Sequence, residues 1–290
     1  MELEASDTLA LHLPPPAALT LPELFRDTAG RFPARTALSC AAVDNLSTSS
    51  LTYAETLNYI VPLAHTLQAT NTRSSSTTFV LGILLDKSLD LTLAILATTF
   101  AGATWLPFDP DTPADRIALC LRDADAVGLL YDDIHAFVAV NALKQVDACR
   151  PLLFSTLKVS ASSSHNNGPL LWEATPATPA YYIYTSGTTG TPKGISISHR
   201  AATTFAYSES SVLGLTSIDV VWNGFSPAFD MWVEETWCAF ARGCHVAIAL
   251  GGQWRDIANL CRVWDARQVT VLMAVPTLMA MVCNEGTVPD

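Results

Sequence analysis

The sequence predicts an α/β fold of mostly parallel sheets flanked by helices, and three observations carry that prediction. Phe79–Leu85 is an aliphatic and aromatic run of the kind found in a parallel strand covered on both faces. Leu89–Ala101 follows with helical length and Thr104–Pro107 returns as a short strand, which together make a βαβ unit. The alternation resumes near the C-terminus, where Val220–Phe225, His245–Leu250 and Val269–Ala274 read as strands between helical segments.

The elements follow in order from caps and patterns. Residues 1–18, with a Pro14–Pro16 run, read as a disordered lead-in ahead of a domain over 19–290. Leu21 to about Phe32 is a helix, with Thr20 as N-cap and Glu23 reaching back to complete a capping box. Ala37–Val43 is a strand and Ser47–Ser50 a turn; Thr52 then caps a helix running to about Leu67. Asp115–Asp123 is helical, Ala126–Tyr131 a strand, Ile134–Leu143 a helix, and the Ser/Asn/Gly-rich stretch Ser160–Pro169 a solvent loop. Tyr181–Tyr184 and Ile195–Ser198 are strands, and helices cover His199–Ser208, Met231 to near Gly243, Trp254–Ala266 and Pro276–Val282.

Composition narrows the class of protein. With 290 residues, half of them apolar and 15% charged, the chain can bury a large core. A formal net charge of −11 argues against a nucleic-acid or anionic-membrane partner. The seven cysteines, an odd number without a Cys-x-x-Cys pair, suit reduced, buried thiols better than a disulfide frame or a zinc site. The acidic N-terminus lacks the pattern of a signal peptide, and Leu89–Leu106 holds Asp90 and Gly102 and reads as a buried helix and strand, so a cytosolic protein is expected.

Between the strands at 181–184 and 195–198 lies Tyr184-Thr-Ser-Gly-Thr-Thr-Gly-Thr-Pro-Lys-Gly194. Eleven residues place three glycines, five Ser/Thr hydroxyls and one lysine, a composition that forms a loop. Gly187, Gly190 and Gly194 allow φ > 0 and can present successive N–H groups to an anion; Thr185, Ser186, Thr188, Thr189 and Thr191 add hydroxyls, and Pro192 holds Lys193 nearby. This is the make-up of a polyphosphate cradle. A ligand-free hairpin turn would explain Gly-Thr-Thr-Gly but not the lysine behind proline. A Walker-type loop requires Ser or Thr after the lysine and then a helix, whereas Gly194 and a strand follow here.

Over all eleven residues the segment resembles the signature loop of the adenylate-forming superfamily, which includes acyl-CoA ligases, luciferase-like enzymes and the adenylation domains of nonribosomal peptide synthetases. Leu51-Thr-Tyr-Ala-Glu55 resembles the first motif of those adenylation domains. Ala101-Gly-Ala-Thr-Trp-Leu-Pro-Phe-Asp-Pro110 with Arg116 resembles the second, with Phe100 and Trp105 where lysine and tyrosine are usual. Both are read as structural, with Asp109 and Arg116 able to pair across a proline-stiffened turn.

Asp230 stands between a strand and a helix, where its carboxylate either caps the helix or projects into the crevice at the strand ends. The resemblance implies the second role, since amino-acid-activating members carry an aspartate after phenylalanine here that pairs with the substrate amine. It also implies that Met231, Glu234 and Met273 line the substrate pocket. Asp230 and Glu234 are i,i+4 neighbours; either Glu234 or its neighbour Glu235 faces solvent or a nearby arginine such as Arg242, or Glu234 meets the distal ammonium of a basic amino acid such as ornithine or lysine.

The resemblance further implies a reaction. A carboxylate attacks the α-phosphorus of ATP, pyrophosphate leaves, and a phosphopantetheine thiol on a carrier protein takes the aminoacyl group. Thr185, Ser186, Gly187, Thr188, Thr189, Gly190 and Lys193 would hold the β- and γ-phosphates with Mg²⁺ bridging oxygens; no side chain is assigned as catalytic or as a metal ligand. No segment after Pro276 resembles the family's later motifs, and no carrier domain is present, so an incomplete large N-terminal domain is expected, inactive alone. Acyl-CoA-ligase chemistry and a non-catalytic nucleotide-binding remnant are the competing expectations.

Overall fold

The computed structural model describes residues 19–41, 48–71, 78–163, 170, 173–185, 192–250 and 257–284. Its elements run α1 (Leu21–Arg31), β1 (Thr36–Ala41), β2 (Thr48–Thr52), α2 (Tyr53–Thr70), β3 (Val80–Leu84), α3 (Leu89–Phe100), β4 (Thr104–Pro107) and α4 (Ala114–Asp123). Then follow β5 (Gly128–Tyr131), α5 (Ala136–Leu143), β6 (Arg150–Leu153), α6 (Phe154–Ser163), β7 (Pro179–Thr185), β8 (Lys193–Ser198), α7 (His199–Val212) and β9 (Val220–Asn223). One continuous helix comes next, made of α8 (Met231–Val233), a π turn (Glu234–Cys238) and α9 (Ala239–Arg242), and β10 (His245–Ile248), α10 (Ile257–Ala266) and α11 (Pro276–Asn284) complete the order.

Two sheets result. One has the order β2-β1-β10-β9, parallel except for β2; the other has the order β6-β5-β3-β4-β7-β8, parallel except for β8. Successive strand residues point to opposite faces, and the packing follows that alternation. Leu81 and Ile83 of β3, and Val246 and Ile248 of β10, enter a central core with α1, α2, α3 and α9. Val80 and Leu84 of β3 face outward onto α4 and α5, and Ala247 of β10 faces outward onto α10. Helices therefore lie between the sheets and on both outer faces, five layers in all.

Local chemistry explains most element ends. Thr20 and Glu23 form the expected capping box on α1, as do Thr52 and Glu55 on α2. Gly243, at φ 74°, ends α9 in the left-handed conformation that glycine adopts without strain. Among the seven cysteines no disulfide forms.

Several expectations are corrected. Ser47–Ser50 is not a turn throughout: 48–52 form β2, which pairs antiparallel with β1 from Ala41↔Thr48 to Thr36↔Thr52. The strand expected at Val269–Ala274 reduces to a single bridge, Val271↔Val221, because the chain hydrogen-bonds β9 through Trp222 N and Val271 N and then diverges. The solvent loop expected over Ser160–Pro169 is corrected at its start, where α6 extends to Ser163; residues 164–169 lie outside the described residues. Ser160 and Ser162 donate to carbonyls four residues back, which lets a serine-rich stretch stay helical. The Asp109–Arg116 pair does not form among the described residues; Asp109 instead accepts from the Ser226 hydroxyl. The lead-in at 1–18 lies outside the described residues.

Candidate active site

β7 and β8 form an antiparallel hairpin in which Thr185 pairs with Lys193 and Tyr184 with Gly194. The glycine- and threonine-rich segment therefore leaves and re-enters the sheet at a fixed base. Thr185 and Lys193 are both exposed at that base. Ser186, Gly187, Thr188, Thr189 and Gly190 lie outside the described residues. Gly194 has an extended role different from the expected one. It sits inside β8 without positive φ, and a Cβ there would lie 2.8 Å from Cζ of the Tyr184 ring, so close approach requires the glycine.

Thr185, Asp230, Met231 and Glu234 line one cavity of about 540 Å³, walled by Tyr181, Ile183, Ile195 and Ile197 of the hairpin and by Ala202 and Phe205 of α7. The structure thus brings the base of the loop and three of the four expected substrate residues together. It does not bring Met273 there; Met273 lines a separate cavity of about 620 Å³ with Lys87, Phe108 and Trp222.

Packing explains why Asp230 stands where it does. Two residues on, Trp232 is buried edge-to-face against Trp105 of β4 at 5.7 Å, and Trp105 stacks on Tyr181 of β7 at 4.7 Å. These rings tie the start of α8 to the strand that delivers the loop. Asp230 makes no side-chain cap hydrogen bond, so capping does not occupy its carboxylate, which is exposed at the cavity. Burial, then the neighbouring Glu209 and Asp230, pushes the Glu234 carboxyl above its usual range. No ion pair reaches Asp230 or Glu234 among the described residues, and Arg242 is engaged elsewhere by Ser210 and Ser211. The cavity therefore presents two carboxylates to whatever enters it. Among the described residues no group of three or more His, Cys, Asp or Glu side chains could hold a metal ion.

Sequence reading missed a buried polar cluster behind this cavity. Glu235 is fully buried, and its carboxylate accepts from Gly224 N and Phe225 N, both at 3.0 Å, and from Asn223 Nδ2 at 3.1 Å. Lys87 donates to the Phe225 carbonyl. Burial pushes Glu235 up and Lys87 down, each opposed by the other's charge. Glu235, expected to face solvent or an arginine, turns inward because its partners come from residues 223–225 on another element, so no local signal marks it.

Comparisons with known proteins agree with this geometry. Residues 25–290 match the profile of the AMP-binding enzyme family. The chain is 38% identical over 261 residues to delta-poly-L-ornithine synthetase of Acinetobacter baumannii (strain AB307-0294), covering 90% of this chain and 18% of that protein. It is 34% identical over 264 residues to syringomycin synthase SyrB1 of Pseudomonas syringae pv. syringae, covering 89% of this chain and 39% of that one. The chain thus spans well under half the length of these relatives. The N-terminal subdomain of NpsA from Klebsiella oxytoca, solved also in complex with 3-hydroxybenzoyl-AMSN, superposes with a TM-score of 0.72 at 25% identity, over 89% of this chain and 61% of that one. Among the described residues no helix is long and apolar enough to cross a membrane. On the family match, the fold and these relatives together, the chain belongs to the AMP-binding enzyme family, as the N-terminal part of an adenylation domain of the nonribosomal peptide synthetase type.

Proposed function

We propose that this chain holds an amino acid and the phosphates of ATP for carboxylate activation as aminoacyl-AMP, with the aminoacyl group passing to the phosphopantetheine thiol of a carrier protein. The observation that carries the reading is the shared cavity: Thr185, at the base of the loop, and Asp230 line one space. In this reading the amides and hydroxyls of Thr185, Ser186, Gly187, Thr188, Thr189 and Gly190, with the Lys193 ammonium, neutralise the β- and γ-phosphates of Mg·ATP. Asp230 pairs with the substrate α-ammonium and so orients the carboxylate toward the α-phosphorus; catalysis of this transfer is positioning plus charge neutralisation. Met231 shapes the side-chain space.

Glu234 extends the reading to a basic amino acid. Burial and the like charges of Glu209 and Asp230 raise its carboxyl, and the distal ammonium of ornithine or lysine would supply the opposite charge at that wall of the cavity. The similarity to a synthetase named for poly-L-ornithine supports the same choice.

The test is calorimetric titration of the chain with a non-hydrolysable L-ornithyl adenylate in which a sulfamate replaces the phosphate. Asp230→Asn should weaken binding at least about tenfold, the scale of one charge-assisted hydrogen bond. Glu234→Gln should weaken the ornithyl ligand but not its norvalyl counterpart, which lacks the distal amine. Equal loss for both ligands would remove the basic-substrate assignment, and no response to Asp230→Asn would remove the amino-acid one.

A further inference from the structure

The turn between β9 and α8 carries Asp230; two side chains from two elements hold its backbone, and a third, from another element, holds its Ser226 hydroxyl. Glu235, from the π turn, takes the amides of Gly224 and Phe225, one on each carboxylate oxygen, at 3.0 Å. Lys87, at the end of the β3 strand and loop, donates to the carbonyl of the same Phe225. Asp109, beyond β4, accepts from the hydroxyl of Ser226, whose oxygen in turn accepts from Ala228 N at 3.2 Å. Both carboxylate oxygens of Glu235 are thus engaged, Oε1 by Gly224 N and Oε2 by Phe225 N and Asn223 Nδ2.

Such a cluster is a poor source of stability. Glu235 is buried and Lys87 half-buried, with no ion pair between them among the described residues; charges taken from water lose hydration that their attraction rarely exceeds, and apolar replacements of similar volume are often as stable. What the cluster does fix is geometry. The π turn begins at Glu234, so Glu234 stays with Asp230 on the cavity wall while Glu235 turns inward to full burial. Lys87, Gly224, Phe225 and Ser226 line the cavity that also holds Met273, and the turn formed by the last three leads on to Asp230 in the other.

We infer that Glu235 and Lys87 are positioning residues, a clamp on residues 224–226 that sets where the Asp230 carboxylate stands relative to the substrate amine. The amine part of this inference rests on the function proposed above; the clamp itself does not.

Hydrogen–deuterium exchange resolved to single amides, on the 290-residue chain and its Glu235→Gln, Lys87→Met and Lys87→Arg variants, separates the two. Glu235→Gln and Lys87→Met should speed exchange at Gly224 and Phe225 at least about tenfold while amides of β3 keep their wild-type rates, and Lys87→Arg, which retains a donor, should restore slow exchange. The same two loosened variants should bind the ornithyl sulfamate about tenfold more weakly, and that loss should vanish in an Asp230→Asn background, because both act through one carboxylate. Unchanged exchange at 224 and 225, or a rise shared by β3, overturns the clamp. Loosened amides with unchanged ligand affinity overturn the positioning role. A wild-type chain that binds no sulfamate sinks the adenylation reading instead, and exchange alone then decides whether the clamp exists.

Discussion

A Cβ on Gly194 would meet Cζ of Tyr184 at 2.8 Å and its hydroxyl oxygen at 3.0 Å, and that ring is not free to move away. Its hydroxyl donates to Asp123 Oδ2 at 2.7 Å, which anchors β7 to α4. Gly194→Ala should therefore destabilise the chain by about 1–3 kcal/mol, the usual cost of overpacking, read as a lower urea midpoint at unchanged slope. Tyr184→Leu, which has no phenol, should make the same glycine change less costly, so the pair should be less than additive. Asp230 behaves in the opposite way. Being exposed and without a cap bond, it contributes little to the fold, and Asp230→Asn should shift stability by less than about 0.5 kcal/mol. A large binding loss on an unchanged fold is the signature expected of a residue retained for its ligand.

At the level of elements, the caps give the clearest energetic statement. Thr20 Oγ1 accepts from Glu23 N at 3.4 Å while Glu23 Oε2 accepts from Thr20 N at 2.7 Å, so two orphan donors at the start of α1 are satisfied reciprocally. Thr20→Ala should cost about 1 kcal/mol in chemical denaturation, and more than Thr52→Ala, whose box lies in solvent. The Thr20–Glu23 box and the Thr52 cap were legible in the sequence because capping is local. The covered strand β3 was legible for the same reason, its apolar run being fully buried as expected. What the sequence did not disclose depends on partners far along the chain. β2 exists because β1 offers it an antiparallel edge, and the segment around Val271 fails as a strand because its ladder with β9 stops after one bridge. In the site, the resemblance singles out Asp230, Met231, Glu234 and Met273 together; the first three line one cavity, and Met273 falls in another. Glu235 and Lys87, remote in sequence, converge on the same turn only once two sheets are assembled, and no local pattern announces that convergence.

Across the whole molecule, the central core joins the two sheets through α1, α2, α3, α7 and the α8–α9 helix, and a titratable group sits within it. His199, first residue of α7, is fully buried; its Nδ1 accepts from Leu21 N of α1 at 3.3 Å, and its Nε2 has no hydrogen-bond partner among the described residues. Burial pushes its pKa down to about 4, from an ordinary 6.5, so the folded chain keeps it neutral. His245, which meets Ser39 Oγ at 2.7 Å, is also depressed to about 4 by burial and by Arg267, but it is half-buried and carries a smaller share. The sign follows from proton binding. As pH falls below 6.5 the unfolded chain protonates these rings while the native chain does not, so the unfolded state binds more protons and stability drops, until the native rings titrate near 4. For His199 the full interval is worth about 3 kcal/mol, enough to shift the melting temperature of a domain this size by several degrees. Glu235, raised by burial, works with the opposite sign, since its native form takes a proton first on acidification. A variant comparison isolates the histidine from that term. His199→Gln, neutral throughout, should be less stable than wild type at pH 7 yet lose less stability between pH 6.5 and 4.5 in urea titrations. Parallel pH profiles for the two proteins would mean that His199 is already solvated or charged in the native state, and that the contact between α1 and α7 is not the dry junction described here.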